Sequence, residues 1–191
     1  MNKKKIIIIS TIILLLLIFT LIIKFTNNSE NILVKYLKAS GFTNNENTSL
    51  FKRQISKITE EELNNNINNN INSEYEMQYF NTNTFEYTKD KISYNNNITK
   101  YYTPTYNYRD NKITYIYKIN YQNANIIVKG EYNLNNKKFI CEPTFYYQMN
   151  IEKVKDNICN KIKLETEIFS NEITTLIENP KALNHIKNNI S

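Results

Sequence analysis

From Ile113 to Tyr121 the chain alternates. Ile113, Tyr115, Tyr117, Ile119 and Tyr121 fall on one side of an extended backbone, and Thr114, Lys118 and Asn120 on the other. Successive side chains of a strand point to opposite faces, so this stretch predicts a strand with one buried and one wet face. In a helix the same residues would be scattered around the whole circumference. This stretch constrains the fold more than any other, because a sheet with one apolar face requires partner strands and a cover.

The same period of two recurs on both sides of it. Tyr75, Met77 and Tyr79 alternate with charged or polar residues, as do Phe85 and Tyr87, then Tyr102, Pro104, Tyr106 and Tyr108. Pro104 suits an edge strand or a bulge, because it lacks a backbone donor. Downstream, Ile126, Val128, Gly130, Tyr132 and Leu134 share a face, and Phe139 and Cys141 carry a further strand up to Pro143. Asp110-Asn111, Gln122 to Ala124 and Asn135-Asn136 read as turns, since Asn tolerates positive φ. Phe80 to Phe85 and Tyr132 to Phe139 echo each other as aromatic, polar turn, aromatic; in so Asn-rich a chain this alone does not define a repeat.

The flanks read as helices. Ser29 is an N-cap candidate ahead of Glu30, and Ile32, Leu33, Tyr36 and Leu37 have helical spacing up to Gly41, which predicts a helix over 30–40. Leu50 to Ser56 fits a short strand. Thr59-Glu60-Glu61-Glu62 is a capping box leading into either a frayed helix or an Asn-rich loop over 64–72. After Pro143, Ile151, Val154, Ile158 and Ile162, then Phe169, Ile173, Leu176 and Ile177, step by three and four, and Asn179-Pro180 starts a last helix. The expected fold class is α+β, with an antiparallel meander of about five strands packed against C-terminal helices.

Ahead of this lies a stretch of different character. Between Lys5 and Lys24 every residue is Ile, Leu or Phe except Ser10, Thr11 and Thr20. At about 1.5 Å per residue, the run from Ile6 to Ile23 spans roughly 27 Å, close to the hydrocarbon thickness of a thin bilayer. A basic start followed by an apolar run also fits a cleaved secretory signal. The length of the run and the absence of an Ala-x-Ala-like site in Phe25 to Ser29 favour a retained anchor. Lys3, Lys4 and Lys5 before the run, against Lys24 after it, orient the N-terminus to the cytoplasm. The expected organisation is a cytoplasmic segment at 1–5, a single transmembrane signal-anchor at 6–23, a juxtamembrane helix and Asn-rich connection at 24–74, and an extracytoplasmic α+β domain at 75–191. The expected location is therefore the cell membrane, with the bilayer as first partner and the C-terminal domain outside.

Charge acquires its meaning from that anchor. The net charge is +6, but Lys3, Lys4, Lys5 and Lys24 all flank the apolar run, so the remaining chain is nearly balanced. Arg53 and Arg109 are the only arginines, which leaves few candidates for bidentate phosphate or base contacts and argues against a nucleic-acid partner. The abundance of Asn, Ile, Lys and Tyr follows AT-rich codons. The N-x-[ST] triplets at Asn27, Asn47, Asn97 and Asn189 follow from it and establish no glycosylation route.

Catalytic chemistry finds little support. His185 is the single histidine and Gly41 and Gly130 the only glycines, so Gly-rich phosphate loops and His-based metal clusters are excluded and no cofactor is expected. Cys141 and Cys159 could form a disulfide closing a loop of about eighteen residues, worth roughly 3 kcal/mol in the chain-entropy model, or could remain two buried thiols. The aromatic face, Tyr106, Tyr108, Tyr115, Tyr117, Tyr121 and Tyr132, could bind a glycan or protein partner, or could be the core beneath the tail helices; its alternation with Lys and Asn favours the core. The expected function is a non-enzymatic binding or interaction module at the cell surface. The alternatives are an enzyme acting on surface or cell-wall substrates, and an accessory subunit of a membrane complex.

Overall fold

The computed structural model describes residues 32–45, 48–121, 124–146 and 151–190. The apolar run Ile6–Ile23 lies outside them, and among the described residues no helix is long and apolar enough to cross a membrane.

The alternating stretches pair with their sequence neighbours throughout. After helix α1 (residues 32–39) come β1 (Thr43–Asn44), β2 (Leu50–Gln54), α2 (Glu60–Asn68), β3 (Ser73–Asn81), β4 (Glu86–Asn95), β5 (Ile98–Asn107), β6 (Lys112–Tyr121), β7 (Ala124–Asn133), β8 (Lys138–Tyr146), α3 (Ile151–Leu176) and α4 (Pro180–Ile190). The fold is α+β, with all eight strands in one antiparallel sheet of order β1 to β8. The meander is thus larger than the five strands expected. Two strands before residue 73 extend its edge, β2 pairing with β3 from Leu50↔Asn81 to Gln54↔Met77. The strand begun at Tyr87 also runs on to Asn95 through Lys89-Asp90-Lys91, whose charges mask the alternation.

Helices α1, α3 and α4 cover one face. α1 ends as the sequence suggests: Gly41 adopts φ +84° and the Phe42 amide donates to the Leu37 carbonyl at 3.0 Å. Leu33, Leu37, Phe42, Phe51, Phe80, Tyr87, Tyr106, Ile113, Phe169, Ile173 and Ile186 form one cluster; Tyr102, Tyr115, Tyr117, Val128 and Ile162 form a second. On the opposite face α2, closed by the Thr59–Glu62 capping box, buries Leu63 and packs along β3. One facial assignment is reversed. In β3 the side chains sharing the helix-covered face are Glu76, Gln78 and Phe80, since Phe80 pairs with Tyr87 and Tyr87 with Tyr106. Tyr75, Met77 and Tyr79 therefore lie on the other face, Tyr75 still buried.

Three successive hairpin turns are copies of one another. Asn81, Asn107 and Asn133, each 26 residues from the next, end β3, β5 and β7. Each side-chain Oδ1 accepts from the amides two and three residues on: Asn83 and Thr84, Arg109 and Asp110, Asn135 and Asn136. Each turn then passes through a positive-φ residue, Phe85 (52°), Asn111 (49°) or Lys137 (55°). The turns also bond to each other: the Tyr108 amide donates to the Phe85 carbonyl and the Leu134 amide to the Asn111 carbonyl, both at 3.1 Å. The echo of aromatic, polar turn, aromatic overlaps this repeated hairpin without matching it throughout: Phe80 corresponds to Tyr132, but Phe85 to Lys137 and Tyr87 to Phe139.

Candidate functional site

The repeat shows where the covered face departs from its own rule. In the second hairpin, β5–β6, the covered face carries Tyr102, Pro104, Tyr115 and Tyr117; in the third, β7–β8, the matching positions are Val128, Gly130, Cys141 and Pro143. In the first hairpin, β3–β4, the same positions are Glu76, Gln78, Lys89 and Lys91. Polar groups thus occupy positions that are apolar, aromatic or proline elsewhere, and beside them a cleft of about 380 Å3 opens between the sheet and α3. Glu76, Lys89, Lys91 and Tyr102 form its floor; Lys161, Leu164, Glu165, Ile168 and Glu172 of α3 line its other wall.

Most of these charges are tied to each other. Lys89, 8% exposed, donates to Glu172 Oε1 at 2.7 Å and lies 3.4 Å from Glu76 Oε1. Gln78 donates to Glu76 at 3.3 Å and accepts from Arg53 Nε and Nη2 at 3.1 and 2.6 Å. Arg53 in turn donates to the Ser40 carbonyl at 2.6 Å and stacks over the Phe42 ring. A continuous polar chain therefore runs from the end of α1, across β2, β3 and β4, to α3. Burying the Lys89 ammonium is tolerable because two carboxylates are held against it. Tyr102 donates to Thr166 Oγ1 at 2.8 Å, because the single Thr166 hydroxyl proton is given to the Ile162 carbonyl.

At the outer end of the cleft the balance changes. Burial works to lower the Lys91 ammonium, but its 3.0 Å pair with Glu74 outweighs this and leaves its pKa raised. Lys100 is lowered, by burial and by the neighbouring ammonium of Lys161. Glu165 lines the same cleft, and its negative charge acts to raise both Lys91 and Lys100. Leu164 and Ile168, at the rim of that cleft, are 62% and 59% exposed, the most exposed of the large apolar residues described.

The residues singled out in the sequence lie elsewhere. Tyr106, Tyr115 and Tyr117 are buried beneath the helices; Tyr132 and Tyr108 pack half-buried against the core, and Tyr121 is 43% exposed at the end of β6. Tyr115 fills the space over Gly130, where a Cβ would stand 2.4 Å from its hydroxyl, and donates to the Ile140 carbonyl at 2.7 Å. Cys141 and Cys159 are bonded, Cα to Cα 6.0 Å, fastening β8 to α3. His185, in α4, meets the edge of Phe85. Among the described residues no group of His, Cys, Asp and Glu is arranged to hold a metal. The cleft was missed because Glu76, Lys89 and Lys91 read as solvated strand residues until the 26-residue offset aligns them with Tyr102, Tyr115 and Tyr117. Comparison with family models, with curated proteins and with solved structures finds no match to this chain.

Proposed function

We propose that this chain is a membrane-tethered, extracytoplasmic interaction module that docks a protein partner through the outer face of α3 beside the cleft. The observation that carries this reading is the pairing of Leu164 and Ile168 on the surface. Exposed apolar side chains that stand together at a groove rim mark contact surfaces far better than scattered ones do. The cleft's charges support a binding role over a catalytic one. Lys89 is held between two carboxylates and Tyr102 is engaged by Thr166, so neither is presented to a substrate. The tether rests on the apolar run Ile6–Ile23 and its basic flank.

The test is a photo-crosslinking amino acid at Ile168 in native membranes, with mass spectrometry of the adduct. Capture of a defined protein, lost when Leu164 is changed to Asp, is the expected result. A labelling pattern unchanged by that substitution would refute the docking face. The topology has its own check: a reporter active only outside the cytoplasm, fused after Ser191, should be active, and activity of a cytoplasm-only reporter there would reverse it.

A further inference from the structure

Beside its buried stripe, Ile162, Thr166, Phe169 and Ile173, helix α3 carries a second, shorter one of Lys161, Leu164 and Ile168, spaced three and four apart and lining the cleft. Lys161 stands at one end of it. Across the cleft, Lys100 lies two residues before Tyr102 on β5 and so shares the helix-covered face. Its cross-strand neighbours there are Ser93 and Ile119, neither of which can neutralise an ammonium. The Lys100 and Lys161 side chains meet, and burial together with this like-charge contact holds Lys100 below the ordinary lysine range. Among the described residues Lys89 and Lys91 have carboxylates within ion-pairing distance, and Lys100 and Lys161 have none. Glu165, at longer range, offsets one of the two charges. One positive charge is left over at this end of the cleft.

Two ammoniums held together repel, and an incoming anion relieves that repulsion. A single carboxylate fits the balance: it offers one oxygen to each ammonium and cancels the excess charge. A doubly charged phosphate would overshoot it and face Glu165. Along α3, Leu164 lies about 4.5 Å and Ile168 about 10.5 Å from Lys161 in axial rise. Side chains two apart on an extended chain are about 7 Å apart and point the same way. An acidic residue at the lysine pair therefore brings an apolar residue two positions away between Leu164 and Ile168. We propose that the partner's docking segment is an extended peptide with an acidic residue two positions from a large apolar one, a reading that rests on α3 being the docking face. The carboxylate bridges Lys100 and Lys161, and the apolar side chain covers Leu164 and Ile168.

The purified full chain, in detergent, is used to select binders from a displayed library of random peptides. Enriched peptides should carry Asp or Glu two positions from Leu, Ile, Met or Phe. Lys100→Gln with Lys161→Gln should weaken their binding by about tenfold, the expected loss for one charge-assisted hydrogen bond. Lys100→Arg with Lys161→Arg should keep most of it, and Lys118→Gln, exposed on the open face, should leave it unchanged. Acetate should compete better than inorganic phosphate. The double Gln chain should melt no lower than the parent, because it loses only a like-charge contact; a structural role for the two lysines would lower the melt. Enriched peptides without an acid, or indifferent to the double Gln change yet lost with Leu164→Asp, would overturn the carboxylate anchor and keep the docking face. Stronger competition by phosphate than by acetate would overturn it too. No enriched peptide, together with an Ile168 photo-adduct that survives the double Gln change, would do the same. With no adduct either, the anchor and the docking face both fail.

Discussion

Lys89 is the side chain on which the first hairpin depends. It is nearly enclosed, and its two carboxylate partners come from β3 and α3, so it ties the sheet to the helix where the repeat offers no aromatic layer. Lys89→Ala would leave Glu76 and Glu172 facing each other. We expect a loss of about 2 kcal/mol in denaturant unfolding, less than for a fully buried pair because Glu172 keeps contact with water. Lys89→Met in a Glu76→Gln, Glu172→Gln background should recover most of it. The tyrosines give a second prediction at this scale. Desolvation, helped by Asp90 at Tyr79 and by Glu165 at Tyr117, pushes both phenols up to about 12 from 10.0. An unfolded chain ionises near 10, so stability is whole below that pH and falls as pH rises toward 12. Spectrophotometric titration should show a late-ionising set of tyrosinates whose ionisation coincides with unfolding. The alternation of the tyrosines was legible, but not which of them the helices cover: Tyr75 and Tyr79 lie on the opposite face and Tyr121 is exposed. The role of Lys89 was not legible, because a strand lysine is read as solvated until its neighbours in space are known.

Among the elements, the hairpins and α3 carry the definition of the fold. The stacked turns predict that Asn107→Ala, which frees the Arg109 and Asp110 amides, costs about 1 kcal/mol, and that Asn133→Ala costs about the same. Asp at either site should retain the bonds and the stability, as thermal melts would show. The disulfide acts between β8 and α3. Removing it with Cys141→Ser and Cys159→Ser should lower stability by about 3 kcal/mol, given the 18-residue separation. Hydrogen exchange should rise first in the N-terminal turns of α3. Element types were readable from period and caps at α1 with its Gly41 end and at the start of α4 at Asn179-Pro180; behind Thr59 the cap was legible, but the Asn-rich run left helix and loop open until the structure showed α2. The long α3 was visible as a stripe, but its second stripe was obscured because Leu164 and Ile168 fall among charges.

For the whole molecule, the sheet order β1 to β8 means that each strand meets only its sequence neighbours. Longer-range closure falls to the helices: α1 at the start of the described chain meets the C-terminal end of α3, where Tyr36 Oη donates to the Leu176 carbonyl at 3.0 Å. The α+β class was legible, because alternation and helical stripes are local. The width of the sheet was not, because β1 is two residues long and β4 hides its period under charge. A single residue inserted within β5, after Thr99, would turn Tyr102 and Tyr106 to the open face and should abolish cooperative unfolding; the same insertion at Arg109, in an exposed turn, should leave the melt nearly unchanged. The repeated turn carries this further. Because Asn81, Asn107 and Asn133 recur at one interval, that interval is a ruler for how a chain of this kind can change in length. A tract of 26 residues gained as a unit adds two strands, returns the backbone to the same rim, and continues the column of turns with every side chain on its proper side. Most other increments inside the strands would break phase, so the breadth of such a sheet is counted in whole hairpins.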